Sequence, residues 1–121
     1  MSEIIKGSCH CQRVQFEVEL DNGLEKLRRC NCSLCSKKGA IIASVPLAKL
    51  KITKGVDSLS LYQWNSKIAK HYFCSNCGIY THHQRRSDPT EFGFNIACLE
   101  GVNPYEFTDI VLGDGASQKL I

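Results

Sequence analysis

Cysteines constrain this sequence more than any other residue type. The chain of 121 residues contains eight of them, and seven fall in three short motifs, CHC at 9–11, CNCSLC at 30–35 and CSNCG at 74–78. The first residues carry neither the basic start nor the apolar stretch of a secretory signal, so we expect a cytoplasmic location. Because disulfides are rare in that reducing compartment, we interpret the cysteines as metal ligands or reactive thiols.

Short strands are the main secondary structure that the sequence predicts. Apolar residues alternate with polar ones, or form short β-branched runs, in five segments: 14–20, 40–45, 59–64, 68–73 and 92–96. Residues 47–50 and 104–107 each predict a single helical turn. With 43% hydrophobic and 22% charged residues, the composition is that of an ordinary globular domain. We therefore expect one mostly β domain over residues 1–121.

The motif at 74–78 has the form of a zinc knuckle. Two thiolates three positions apart converge on one tetrahedral metal ion, and the N–H groups of the turn hydrogen-bond to the sulfurs. Gly78 suits the left-handed backbone conformation that such a turn often needs just after it. This spacing strongly predicts a zinc site.

Seven thiolates are enough for two metal ions, one with four ligands and one with three. Structural zinc sites are closed by four protein ligands, whereas reactive sites keep one position free. Spacing alone does not decide which cysteines share an ion. The four-ligand site could include the first motif. The alternative is a zinc ribbon, in which Cys32 and Cys35 share an ion with Cys74 and Cys77. In that case three cysteines would remain outside the ribbon, Cys9, Cys11 and Cys30.

The charge pattern argues against nucleic acid as a partner. The formal net charge is only +3, and two zinc ions bound by seven thiolates would cancel it. The basic residues are scattered rather than concentrated on one predicted element, so we expect no nucleic-acid binding. The longest apolar run, 40–43, is far too short to cross a bilayer, so we expect no membrane partner either.

The motifs, taken in order, resemble the glutathione-dependent formaldehyde-activating (GFA) family, which includes the centromere protein V-like proteins. The residues that carry the resemblance are GSCHC at 7–11, CNCSLC at 30–35, HYFCSNCGI at 71–79, RRSDP at 85–89 and NIACLEG at 95–101. The resemblance covers about residues 5–107 and leaves a C-terminal tail, 108–121. It implies a β-tent fold of packed antiparallel sheets.

The resemblance also implies two Zn²⁺ per chain and assigns their ligands. A structural zinc would be held by four cysteines, Cys9, Cys11, Cys74 and Cys77. An open zinc site would be held by the other three, Cys30, Cys32 and Cys35. Since soft sulfur ligands suit zinc, the open site is expected to take a thiolate from a substrate.

The resemblance implies a carbon–sulfur lyase whose reverse reaction joins glutathione, as co-substrate, to formaldehyde. The expected partners are therefore a small-molecule thiol and an aldehyde, and the product would be S-hydroxymethylglutathione. Two alternatives stay open. One is a non-catalytic zinc module that binds glutathione or a protein partner, and the other is a lyase that acts on another thiol adduct. The sequence does not predict the oligomeric state.

Candidate residues for the remaining roles follow from their chemistry. An acid must protonate the alkoxide that forms, and the candidates are His71, His82 and His83. Adjacent histidines on a strand point to opposite faces, so at most one of His82 and His83 should face the site. Four basic residues are candidates for binding the carboxylates of glutathione: Lys37, Lys38, Arg85 and Arg86. For Cys98 we expect a buried core thiol, with a spare thiol near the open site as the alternative.

Overall fold

The computed structural model describes residues 2–64 and 66–113. Within these ranges the chain forms ten strands and one short α-helix. The last eight residues of the predicted tail lie outside this range. The strands are β1 (Glu3–Ser8), β2 (Gln15–Leu20), β3 (Arg28–Cys30), β4 (Ile42–Pro46), β5 (Leu50–Lys54), β6 (Leu59–Tyr62), β7 (Lys70–Cys74), β8 (Tyr80–Gln84), β9 (Glu91–Asn95) and β10 (Val111–Gly113). The helix, α1, spans Ser33–Lys38.

Two sheets contain all of these strands. The smaller is antiparallel with the order β1-β2-β5, and the larger has seven strands in the order β10-β3-β4-β9-β8-β7-β6. In the larger sheet only β10 and β3 pair in parallel. The predicted mostly β architecture of packed sheets is therefore confirmed, with one parallel pair that was not predicted.

A hydrophobic core lies where the two sheets face each other. On β2 the predicted alternation places Phe16, Val18 and Leu20 inside, each at most 5% exposed. They pack in one cluster with buried residues of the large sheet such as Val45 and Phe94. This burial holds the two sheets against each other, and the cysteine motifs lie at or just after the ends of strands in both sheets.

Helical structure is confined to short pieces. The two predicted turns are present as 3₁₀ helices, Leu47–Lys49 and Pro104–Glu106, and two more 3₁₀ turns span Val56–Ser58 and Ile96–Cys98. The helix α1 was not predicted. Within the described part of the chain, no helix is long and apolar enough to span a membrane.

Candidate metal centre

Four cysteines from two distant motifs form the first cluster, which we call the four-cysteine cluster. Their sulfur atoms all lie within 4.8 Å of one another, and they belong to Cys9, Cys11, Cys74 and Cys77. Two of the separations are 3.7 Å, from Cys9 to Cys11, and 3.6 Å, from Cys11 to Cys74. A tetrahedral zinc ion with bonds of about 2.3 Å would place its sulfurs about 3.8 Å apart. The cluster could therefore hold a metal ion, and its spacing suits zinc.

Two tight turns build this cluster. In the turn between β1 and β2, the N–H of Cys9 donates to the carbonyl of Val14 at 3.1 Å, and the N–H of Val14 donates to the Cys9 sulfur at 3.4 Å. In the turn between β7 and β8, the N–H of Gly78 donates to the carbonyl of Cys74 at 2.8 Å. Gly78 has φ +78°, the left-handed conformation expected of it. The backbone thus forms both turns and aims the sulfurs at one point.

The surroundings of the four sulfurs differ. Burial raises the pKa of Cys9 to about 11. Hydrogen bonds, first from the Asn76 side chain and then from the Arg13 backbone, lower the pKa of Cys11 to about 6. A buried thiolate is costly unless a positive charge lies beside it. A divalent cation bound at this point would supply that charge.

Three cysteines form the second cluster, the three-cysteine cluster. It consists of Cys30 at the end of β3, Cys32 just before α1, and Cys35 within α1, with all three sulfurs within 4.8 Å of one another. In the described ranges, no fourth Cys, His, Asp or Glu completes the group. The zinc ribbon that would have joined Cys32 and Cys35 to the knuckle is not formed, because the knuckle sulfurs lie with Cys9 and Cys11.

The start of α1 shapes the three-cysteine cluster. Cys32 is the N-cap residue, and its sulfur accepts the N–H of Cys35 at 3.3 Å. Burial opposes ionisation of Cys32. Hydrogen bonds from the backbone and thiol of Cys35, the thiol of Cys30 and the backbone of Leu34 together outweigh it, so the pKa of Cys32 is lowered. Burial raises the pKa of Cys35 to about 12. This cluster could also hold a metal ion, with one coordination position left open.

Two cavities lie beside α1. The aromatic cavity, of about 280 Å³, is lined by Leu34, Lys38, Tyr62, His71, Tyr72, Phe73, Gly78 and Tyr80. The polar cavity, of about 230 Å³, is lined by Arg29, Lys38, Gly39, Ala40, Ile41, Asn95, Ala97, Pro104 and Tyr105. Lys38 lines both cavities, which places its side chain between them.

The three candidate histidines are all buried, on opposite faces of the large sheet. His71 and His83 are cross-strand partners with stacked rings 5.1 Å apart. His82 stacks instead on Tyr72, its own cross-strand partner, at 4.8 Å. Burial lowers the pKa of His71 and of His82 to about 4, and that of His83 to about 2. At neutral pH these rings are uncharged, which favours hydrogen-bond acceptance over proton donation.

The structure disperses the four candidate carboxylate-binding residues. Lys38 interacts electrostatically with all three sulfurs of the three-cysteine cluster, whereas Lys37 is exposed on α1. Arg85 forms an ion pair with Glu91, and Arg86 neighbours it outside both cavities. Arg29, which the sequence analysis did not single out, lines the polar cavity. Only its position directly before Cys30 could have suggested it.

The eighth cysteine belongs to neither cluster. Cys98 is half-buried against the core, and its thiol donates to the carbonyl of Tyr80 at 3.7 Å. Burial raises the pKa of Cys98 to about 12, so the thiol is inert at neutral pH. This placement agrees with the expected structural role more than with a spare thiol at the open site.

Comparison with known proteins gives a consistent result. The family model described as "Glutathione-dependent formaldehyde-activating enzyme" matches residues 4–109. A crystal structure of a Rhodobacter sphaeroides protein from structural genomics is 52% identical and superposes with a TM-score of 0.85. The match covers 88% of this chain and 98% of that one. The chain belongs to the glutathione-dependent formaldehyde-activating enzyme family.

Proposed function

We propose that this protein is a zinc-dependent carbon–sulfur lyase that, in reverse, joins glutathione to formaldehyde as S-hydroxymethylglutathione. The observation that carries the proposal is the three-cysteine cluster, which groups three sulfurs without a fourth ligand among the described residues. A zinc ion with four protein ligands has a structural role only, whereas a zinc ion with three protein ligands has a free position for a substrate. Family membership supports the choice of glutathione and formaldehyde.

Zinc is the metal that the sulfur donor sets fit, and Cys30, Cys32 and Cys35 would hold it in the open site. When bound there, it would supply a position for a thiol sulfur and lower the pKa of that thiol. The protein's own residues have the task of orienting the substrates. Arg29 in the polar cavity provides a guanidinium for a glutathione carboxylate, since the flat guanidinium binds carboxylates in a bidentate way.

The aromatic cavity supplies the site for the aldehyde. Its walls are mostly apolar, with Leu34 from α1 opposite Tyr62 and Phe73 from β6 and β7. Such walls exclude water, which would otherwise hydrate the aldehyde and compete with the thiol. The thiol and the aldehyde would then meet beside α1. A reducing compartment suits this chemistry, because the cluster needs free thiols.

Exchange NMR on glutathione and ¹³C-labelled formaldehyde tests the proposal. Zinc-loaded wild-type protein should accelerate exchange of the adduct well above the spontaneous rate. Cys32→Ser should return the rate to background and lower the zinc content from two ions to one per chain. Cys98→Ser is the matched control, because Cys98 lies outside both clusters, and it should retain both zinc ions and the rate.

Three other results would overturn the proposed reaction, each in a different way. A protein that binds glutathione but leaves the exchange rate at background is a carrier. A protein that ignores glutathione is an interaction module. Acceleration with a different aldehyde, and none with formaldehyde, would identify a lyase of another thiol adduct.

A further inference from the structure

The helix α1 places one lysine next to the three-cysteine cluster. Cys35 and Lys38 are three residues apart in α1, so they lie on the same helix face. Lys38 also lines both cavities. Its side chain is thus beside the sulfur cluster and between the two spaces assigned above to glutathione and the aldehyde.

Two contacts fix the ammonium group of Lys38. Its Nζ atom lies 2.7 Å from Nδ1 of His71 and 3.8 Å from the centre of the Tyr80 ring. Because an ammonium group has only donors, Nδ1 of His71 accepts and the ring proton lies on Nε2. Among residues 2–64 and 66–113, no carboxylate pairs with Lys38. One of its three N–H donors points to His71 and another faces the ring, which leaves a donor for a ligand.

A second layer of contacts holds His71 in place. Its ring stacks on His83, and Nδ1 of His83 accepts the Tyr80 hydroxyl at 2.5 Å. Gly93 lies under the His83 ring, and a Cβ there would be 2.4 Å from Cε1 of His83. Lys38, His71, His83 and Tyr80 therefore form one packed unit, and only its ammonium end carries a charge at neutral pH.

We propose that Lys38 is the catalytic acid, which donates a proton to the aldehyde oxygen, and that His71 is the positioning residue that aims it. The inference rests on the proposed function. The glutathione sulfur forms the new bond to the formaldehyde carbon, and the π electron pair of the C=O bond moves to the oxygen. That oxygen takes a proton from Nζ of Lys38. Water then reprotonates the amine, and the thiol proton has already gone to solvent.

The charge environment of Lys38 agrees with this role. Burial lowers the pKa of Lys38 to about 8, while Cys35, Cys32 and Cys30 act in the opposite direction. A pKa near the working pH is favourable for a general acid. The other groups that face it are unsuited to the task, because His71 is uncharged and burial raises the pKa of Tyr80 well above its ordinary value.

The experiment compares Lys38→Met with Lys37→Met in the zinc-loaded protein. Lys37 is the exposed neighbour on α1 and lines neither cavity, so its variant controls for loss of a charge from the helix. We expect Lys38→Met to lower the catalysed exchange rate by at least about 100-fold. Zinc content should not change. Because Lys38 also lines the polar cavity, the dissociation constant for glutathione should change, but by far less than the rate. Lys37→Met should retain the wild-type rate.

Variants of His71 separate positioning from simple packing. His71→Asn keeps an acceptor near the place of Nδ1 and should retain most of the rate, whereas His71→Leu should lose it. The ¹⁵N signal of His71 Nδ1 gives a readout apart from activity, and it should change in Lys38→Met but not in Lys37→Met. If wild type accelerates exchange and Lys38→Met is equally fast, this inference fails alone. If wild type does not accelerate exchange, the proposed function fails, and the inference fails with it.

Discussion

The sulfur atoms of Cys11 and Cys74 lie 3.6 Å apart although 63 positions separate them along the chain. Cys11 belongs to the turn of the three-stranded sheet, and Cys74 ends a strand of the seven-stranded sheet. A metal ion in the four-cysteine cluster would therefore connect the two sheets at one end of the core. The three-cysteine cluster has no such span, because its ligands lie within six consecutive residues.

Loss of one ligand from the four-cysteine cluster should unfold the protein. We expect Cys74→Ser to be insoluble or unfolded, since binding of a structural zinc supplies about 10–16 kcal/mol. That figure is comparable with the whole stability of a small domain, about 5–15 kcal/mol. Circular dichroism and metal analysis of the purified variant check this, with Cys98→Ser as the folded control. A soluble Cys74→Ser protein with two zinc ions and a native spectrum would contradict the assignment.

The two clusters should release zinc in a fixed order. The three-cysteine cluster offers fewer ligands and does not join the sheets, so a chelator should remove its ion first and leave the far-ultraviolet spectrum unchanged. Release of the second ion, from the four-cysteine cluster, should coincide with loss of the β-sheet signal. A zinc indicator and circular dichroism, recorded in one chelator titration, measure both events.

The variant Cys32→Ser provides the control for this order. It should lack the first phase of zinc release and retain the second. Unfolding that coincides with release of the first ion would show that the three-cysteine cluster also supports the fold.

Much of the fold could be predicted from local patterns. The alternation around Phe16 and Val18 identified β2, since burial of one face of a strand leaves a period of two. The helix α1 was missed because its six residues are too few to show a helical period. The resemblance to a family implied the grouping of cysteines that the structure has, whereas spacing alone left a zinc ribbon open.

The surroundings of the candidate site could not be predicted in the same way. Lys38 and His71 are 33 positions apart, and their contact depends on how α1 packs against β7. The sequence suggested a carboxylate-binding role for Lys38 because its basic side chain can pair with a carboxylate of glutathione. Only the three-dimensional arrangement shows its ammonium group beside an imidazole and a phenol ring.

A methyl group at Gly55 should be strongly destabilising. Gly55 has φ +82°, and a Cβ there would lie 1.8 Å from the carbonyl oxygen of Arg13. To relieve this clash, the backbone before Val14 must move, and the N–H of Val14 donates to the sulfur of Cys9. We expect Gly55→Ala to lower the free energy of unfolding by more than about 3 kcal/mol. Denaturant titration measures the change.

Gly23→Ala is the matched control for Gly55→Ala. Gly23 has φ +67° but no atom within 4 Å of the added Cβ, so only the left-handed strain remains. That strain costs about 1–2 kcal/mol. Equal losses in the two variants would show that the close approach of Gly55 to Arg13 has no energetic effect.

The buried His82 should make stability fall at acid pH. Burial lowers its pKa from 6.5 to about 4, so below pH 6.5 the unfolded chain binds a proton that the folded chain does not. The free energy of unfolding should therefore decrease as the pH falls to 4, by about 1.4 kcal/mol per pH unit from this residue. Below pH 4 both states are protonated, and this contribution stays lost.

His82→Phe isolates that contribution, because phenylalanine retains an aromatic ring between Tyr72 and Phe92. The Thr81 hydroxyl loses its partner, so the variant should be less stable at pH 7 by about 1–3 kcal/mol. Its stability should nevertheless fall less steeply with acid than that of wild type. Denaturant titrations between pH 4 and 7 measure both slopes, and the acid lability of the cysteine clusters cancels in their difference. Equal slopes would mean that His82 becomes protonated in the folded protein as readily as in the unfolded chain.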